Sequence, residues 1–226
     1  LNAVGALLAC LLFAAGAAAQ VPPSPAELAA YSGLHAAAAR GDAAGIARLA
    51  ASGAQVNGRD THLRTPLHVA AYRSRLDAMR ALAKVGADAN ALEADRYDIV
   101  TIAAVANDLP VLRIALELGA SARNVTSRYD GTALIAAAHL GHHEVVSTLI
   151  GAGAPLDHVN NLGWTALIES IVLGDGGPRH LATLKALVDA GANRDLGDRS
   201  GATPLALARS RGYREMVAIL AAAGAR

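Results

Sequence analysis

The sequence predicts an all-α solenoid, a row of six helix-turn-helix repeats with short β-hairpin-like loops between them. Three observations lead there. The pair Gly-Ala recurs at Gly53, Gly86, Gly119, Gly153, Gly191 and Gly224, at intervals of 33, 33, 34, 38 and 33 residues. An aliphatic marker (Leu34, Leu67, Val100, Leu134, Leu167, Leu205) stands 19 residues before the glycine in every unit but the fifth, which carries five more. The composition, 53% hydrophobic, 17% charged and 3% aromatic, is too apolar for a disordered chain and calls for a core of small aliphatic side chains, which suits helix against helix.

The first 19 residues read as a signal peptide. Ala3 to Ala19 is uncharged and apolar, strongest at Leu7, Leu8, Leu11, Leu12 and Phe13, and ends in Ala17-Ala18-Ala19, an A-x-A cleavage pattern that would make Gln20 the first mature residue. A basic n-region is missing. Leu7-Leu8-Ala9-Cys10 resembles a lipoprotein processing site, so lipid attachment at Cys10 is one alternative and a retained anchor another. Residues 20–25 then read as a proline-rich extended tether, with the folded part, 26–226, starting near Ala26.

Within each unit the residues assign the elements in order. Thr65, Thr132, Thr165 and Thr203 suit helix N-caps, and Pro66 and Pro204 suit the first helical position. Gly41, Gly141, Gly174 and Gly212, seven residues after the marker, fit the turn between two short helices. The recurrent Gly-Ala glycine fits the left-handed stop of the second helix. Ala70-Ala71, Ala103-Ala104 and Ala137-Ala138 allow close approach of successive first helices, and Leu49, Leu82, Leu116, Leu149, Leu187 and Leu220 fill the space beneath the second. No unit buries its apolar face alone, so stability comes from stacking. The third unit, with Asp98 as its cap and neither proline nor histidine, is expected to be the least ideal. The fifth has its extra residues around 174–180, read as a lengthened interhelix loop.

Thr65-Pro66-Leu67-His68-Val69-Ala70-Ala71 resembles the signature of the ankyrin repeat, with partial copies at Thr132-Ala133-Leu134, Thr165-Ala166-Leu167 and Thr203-Pro204-Leu205. The resemblance spans nearly all of the chain after residue 25. It implies that His35 and His68 are structural, and that the chain looks like the small periplasmic ankyrin proteins of bacteria, some of them linked to exported enzymes such as catalases.

The remaining residues offer little chemistry. A charge of +1, from 20 basic and 19 acidic residues, gives no field for nucleic acid or anionic lipid. The single cysteine excludes an internal disulfide and any multi-cysteine metal site. His139, His142 and His143 form the densest histidine group and suggest a metal-dependent enzyme as a rival reading, but Gly141 should break the helix that zinc ligation would need. No G-x-S-x-G or P-loop occurs, and Asn124-Val125-Thr126 is read as an accidental sequon. No enzyme activity, cofactor or metal is therefore expected.

The resemblance places partner binding on the concave face, made of hairpin tips and the exposed ends of first helices. Transferred onto this sequence, it selects Arg40, Thr61, His62, Arg64, Tyr72, Arg73, Asp95, Tyr97, Arg128, Tyr129, His139, Asn161, Trp164, Arg199 and Arg211. The set holds the only tryptophan and three of the five tyrosines, a mix that binding hot spots favour. Its arginines suggest an acidic or mixed protein surface. The expected protein is a monomeric, non-catalytic binder in the periplasm, with an exported enzyme as its suggested partner and no membrane contact once the leader is removed. The rival binder is a secreted protein acting on host or competitor proteins.

Overall fold

The computed structural model describes residues 20–225. Among them are thirteen helices: α1 (Pro25–Ala30), then six pairs, α2 (Gly33–Arg40) with α3 (Ala43–Ala51), α4 (Pro66–Tyr72) with α5 (Leu76–Lys84), α6 (Ile99–Ala106) with α7 (Leu109–Glu117), α8 (Ala133–His139) with α9 (His143–Gly151), α10 (Ala166–Val172) with α11 (Pro178–Asp189), and α12 (Pro204–Ser210) with α13 (Arg214–Ala222). First helices pack on first helices and second on second along the row, so the core is one continuous layer. None of these helices is long and apolar enough to cross a membrane.

The caps are where the residues require them. Thr65, Thr132, Thr165 and Thr203 accept from the backbone amide three residues on, and Asp98 does the same for Thr101. The third unit is therefore as regular as its neighbours, because a carboxylate caps as well as a hydroxyl. All six Gly-Ala glycines are left-handed, with φ between 78° and 96°. Leu67, Ile102, Leu134 and Leu167 are buried to 1% or less, each contributing about 1.5–3 kcal/mol against exposure.

Four of the five loops between units repeat one design. A polar side chain at the hairpin base accepts from amides two and four residues later: Asp60 from His62 and Arg64, Glu93 from Asp95 and Tyr97, Asn160 from Leu162 and Trp164, Asp198 from Ser200 and Ala202. Strand pairing among the described residues is limited to a single antiparallel bridge, Thr126 with Gly131. Successive hairpins are joined by Ala94 N to His62 O, Ser127 N to Arg96 O and Asn161 N to Tyr129 O.

The row is stitched in two further places. His35 and His68 act as the resemblance implies. Nε2 of His35 bonds the Arg64 carbonyl at 3.0 Å, and Nε2 of His68 bonds those of Ala91 and Tyr97 at 3.0 and 3.3 Å. Burial pushes the His68 pKa down to about 4. The second series lies eight residues after each marker. There Arg75 reaches Ala39 O, Asp108 accepts from Ser74, His142 bonds Ala104 O, and Tyr213 donates to Gly174 O.

His180 holds the same place in unit five once the five extra residues are discounted, its Nε2 on His139 O at 2.9 Å and Nδ1 on Asp175 at 2.8 Å. The insertion is thus a fitted element that lengthens α11 to 12 residues and ties three units together. At Gly174 a Cβ would sit 2.1 Å from the Ser170 carbonyl, so close approach explains this glycine, whereas a left-handed φ explains Gly41, Gly141 and Gly212.

The readings for residues 1–19, including cleavage and Cys10, lie outside the described residues. Residues 20–24 form neither helix nor strand, and they lie against the repeats. Pro23 is buried, and Ser24 forms a capping box with Glu27 that starts α1, a helix the sequence reading did not anticipate. The signal was Ser24-Pro25-Ala26-Glu27.

Candidate functional site

The face built by the hairpins and first helices carries an open cleft of about 90 Å³ across units three to five, and no residue of a second helix lines it. Its apolar walls come from Val105, Ile135, Leu140, Leu162 and Leu173, with the rings of Tyr97 and Tyr129. Small residues at the first-helix positions, such as Ala136, leave the opening.

The polar part centres on Glu169, which is 4% exposed. Its Oε1 accepts from Asn160 Nδ2 at 2.9 Å, and its Oε2 lies 3.2 Å from His139 Nδ1. Asn160 can do this because it is an amide. Its Oδ1 organises the hairpin as Asp60 and Asp198 do, leaving the NH2 free to hold a carboxylate that an aspartate would repel. Glu169 is the sole acid lining the cleft, and no lysine or arginine lines it.

The residues expected to bind a partner divide among the cleft, the exposed surface and half-buried or buried positions, Asp95 being one of the half-buried. Tyr97, Tyr129 and His139 line the cleft. Arg40, Thr61, His62, Arg73, Arg128, Asn161, Arg199 and Arg211 are exposed, but several are engaged within the chain. Arg128 Nη2 bonds Asp95 at 2.6 Å, Arg199 bonds the Asn161 carbonyl, Asn161 Nδ2 bonds the Arg128 carbonyl at 3.0 Å, and His62 lies 3.3 Å from Glu27. Trp164 is half-buried at the base of its hairpin, where both its backbone groups bond Asn160.

Arg64 corrects the sequence reading outright. It is wholly buried, with Nε on Asp60 Oδ2 at 2.7 Å, Nη1 on Val21 O at 3.2 Å and Nη2 on Glu27 Oε1, so it is not available to a partner. The physical reason is that residues 20–31 cover its hairpin, and a guanidinium under cover needs acids around it. Glu27, bonded first by the Ser24 backbone and then by the Ser24 hydroxyl and Arg64, has its pKa pulled down to about 2. Tyr72 is half-buried, its hydroxyl buried with no hydrogen-bond partner, and burial pushes its pKa up.

The histidine group does not converge: His139 faces Glu169, His142 Nδ1 bonds the Ala104 carbonyl at 2.9 Å, and His143 is exposed. No cluster of three potential metal ligands occurs among the described residues. Asn124 Nδ2, the sequon's amide, is held by Asn90 and Asp98.

Glu169, Asn160 and Thr101 were missed by the sequence reading. The signal for Glu169 was its register: two residues after the marker the other units have Ala36, Val69, Ile102, Ala136 and Leu207, so a carboxylate there is out of pattern.

A family model for ankyrin repeats matches residues 6–93 and 99–193. The chain belongs to the ankyrin-repeat family. The ankyrin repeat protein YahD of Escherichia coli K12 is 41% identical over 103 residues, 45% of this chain and 51% of YahD, so the match spans about half the length of that curated relative. A solved ankyrin repeat domain from Acinetobacter baumannii AYE is 43% identical, with a TM-score of 0.80 over 85% of this chain and 98% of that one. The ankyrin repeat domain of Bcl-3, a member of the IkappaB family, is 27% identical with a TM-score of 0.77, covering 87% of each chain. Ankyrin repeats generally mediate protein-protein interaction and are typically non-catalytic scaffolds.

Proposed function

We propose that this ankyrin-repeat protein is a non-catalytic, monomeric binder of a partner protein in the bacterial cell envelope, holding an extended segment of that partner in the cleft of units three to five. The observation that carries this is the seating of its own chain. Residues 20–24, neither helix nor strand, lie on the same face, Val21 giving its carbonyl to Arg64 of unit two and Gln20 its side-chain amide to Thr101 O of unit three at 3.1 Å. Gln20 stands at the lip of the cleft. A surface that holds one non-helical segment without sheet pairing, and continues as a preformed apolar groove, suits a second one with little reordering.

Support for the envelope is the uncharged stretch 3–19 ending in Ala17-Ala18-Ala19, and an exported enzyme is the partner class that such a location brings within reach. Photocrosslinking tests the site. A benzophenone side chain at Leu140 or Leu162 is expected to trap a protein in the producing cells, whereas the same group at Arg80 or Lys185, on second helices, is expected to trap none. Equal trapping from both pairs would refute the cleft. Fractionation with N-terminal mass spectrometry tests the location: periplasmic protein starting at Gln20 is expected, and protein found in the medium would favour the secreted binder.

A further inference from the structure

We propose that the segment held in the cleft is apolar and carries one basic side chain, whose cation is received by Glu169 and the two tyrosine rings. This deepens the preceding reading and rests on it. The arginines at the hairpins are already engaged: Arg64 with Asp60 and Glu27, Arg96 with Asp130 at 2.8 Å, Arg128 with Asp95, Arg199 with a backbone carbonyl. Acids of the chain itself thus answer Arg64, Arg96 and Arg128, which lowers the field this face offers an acidic partner below what a count of its residues suggests, while Arg40, Arg73 and Arg211 stay exposed.

The cleft presents the reverse. Glu169 has a hydrogen bond from a neutral amide and a neighbour, His139, that carries charge only when protonated, so no fixed cation balances it. A carboxylate shielded from water attracts a cation more strongly than one on the surface. Tyr97 and Tyr129 add ring faces of the kind that guanidinium and ammonium groups favour, and the aliphatic walls accept the flanking residues.

The chain's own leader is the other occupant within reach, since Gln20 stands at the lip. Residues 1–19 contain no lysine or arginine, so they would leave Glu169 unanswered. Charge complementarity thus selects a partner protein over residues 1–19.

The test uses the full chain and fluorescein-labelled peptides of about seven residues, built from Leu, Val and Pro around a central Arg, Gln or Glu. By fluorescence anisotropy the Arg peptide is expected to bind at least about ten-fold more tightly than the Glu peptide. Glu169→Gln is expected to bring the three peptides level. It keeps an oxygen for Asn160, and an unchanged thermal midpoint verifies that it folds. Ala136→Leu, which fills the cleft and leaves Glu169 in place, is expected to weaken all three alike. Equal binding of the three peptides by the unaltered protein, no binding at all, or a preference that survives Glu169→Gln would overturn the inference. Crosslinks from Leu140 together with equal peptide binding would remove the basic side chain while leaving the cleft as a protein site; loss of both would remove both readings.

Discussion

The hairpin face over units one and two and the same face over units three to five start from one frame and end in opposite states. Over the first two units residues 20–31 lie on the repeats, and the charge beneath them, Arg64, is answered by two carboxylates and a carbonyl. Over the later units the charge, Glu169, is answered by one amide and one histidine, and of the described flank 20–31 Gln20 alone reaches the lip of the cleft above it. Where the chain covers itself it settles its buried charge. Where it leaves the repeats open, the charge remains for another molecule to meet.

The largest expected effect breaks the closed half. Arg64→Ala leaves Asp60 and Glu27 facing each other without their cation, and is expected to cost roughly 3–5 kcal/mol in urea unfolding. Combining Arg64→Met with Asp60→Asn and Glu27→Gln is expected to restore most of that, because the penalty lies in the orphaned charges and not in the lost bonds. A loss as small as that of a surface arginine would show that residues 20–31 do not seal this end.

The same pair of regions shows how far the sequence could be read. Thr65-Pro66, the recurrent Gly-Ala and the marker leucines carry local physics, caps and stops, so the helices and their stacking were legible. The burial of Arg64 was not, because its position faces outward in an isolated repeat and inward only under the N-terminal flank. That flank depended on a contact between residues 37 apart, which no periodicity reports. Glu169 was legible from register alone, but the residue types that favour binding pointed to the aromatics, which the structure half-buries or buries. His180 looked like loop because five residues had to be discounted before it aligned with Arg75, Asp108, His142 and Tyr213.

A middle-sized effect sharpens the comparison through pH. One residue after the marker, unit two has His68 and unit three has Thr101, whose hydroxyl pairs with that of Thr126 at 3.0 Å and does not titrate. His68 is held neutral in the fold, its pKa lowered from 6.5 to about 4 by burial. The unfolded chain therefore binds the proton more readily between these values. The contribution of His68 is complete above about pH 6.5, declines as pH falls, and is fully lost below about pH 4, amounting to about 3 kcal/mol. His142, also lowered by burial, adds in the same direction. Urea midpoints are expected to fall from pH 7 to pH 4.5 in the natural protein and to fall less in His68→Gln. Amide exchange at pH 5 is expected to speed up first in units one to three. A flat profile, or first exchange at unit six, would contradict this.

The smallest effect is expected where a count of charges would place the largest. Arg96 and Arg128 lie at hairpin tips, their side chains 48% and 61% exposed, each paired with an acid of the neighbouring hairpin. Such pairs sit in water, where solvent screens their attraction and the side chains lose rotamer freedom to hold them. Arg96→Ala is expected to shift stability by less than about 0.5 kcal/mol. Arg128→Ala is expected to leave trapping from Leu140 and the peptide preference unchanged, because Glu169 and the tyrosines, not the tips, face the occupant. Should Arg128→Ala abolish trapping while Glu169→Gln leaves it intact, recognition would move from the cleft to the tips, and the open half would be distinguished by its arginines after all.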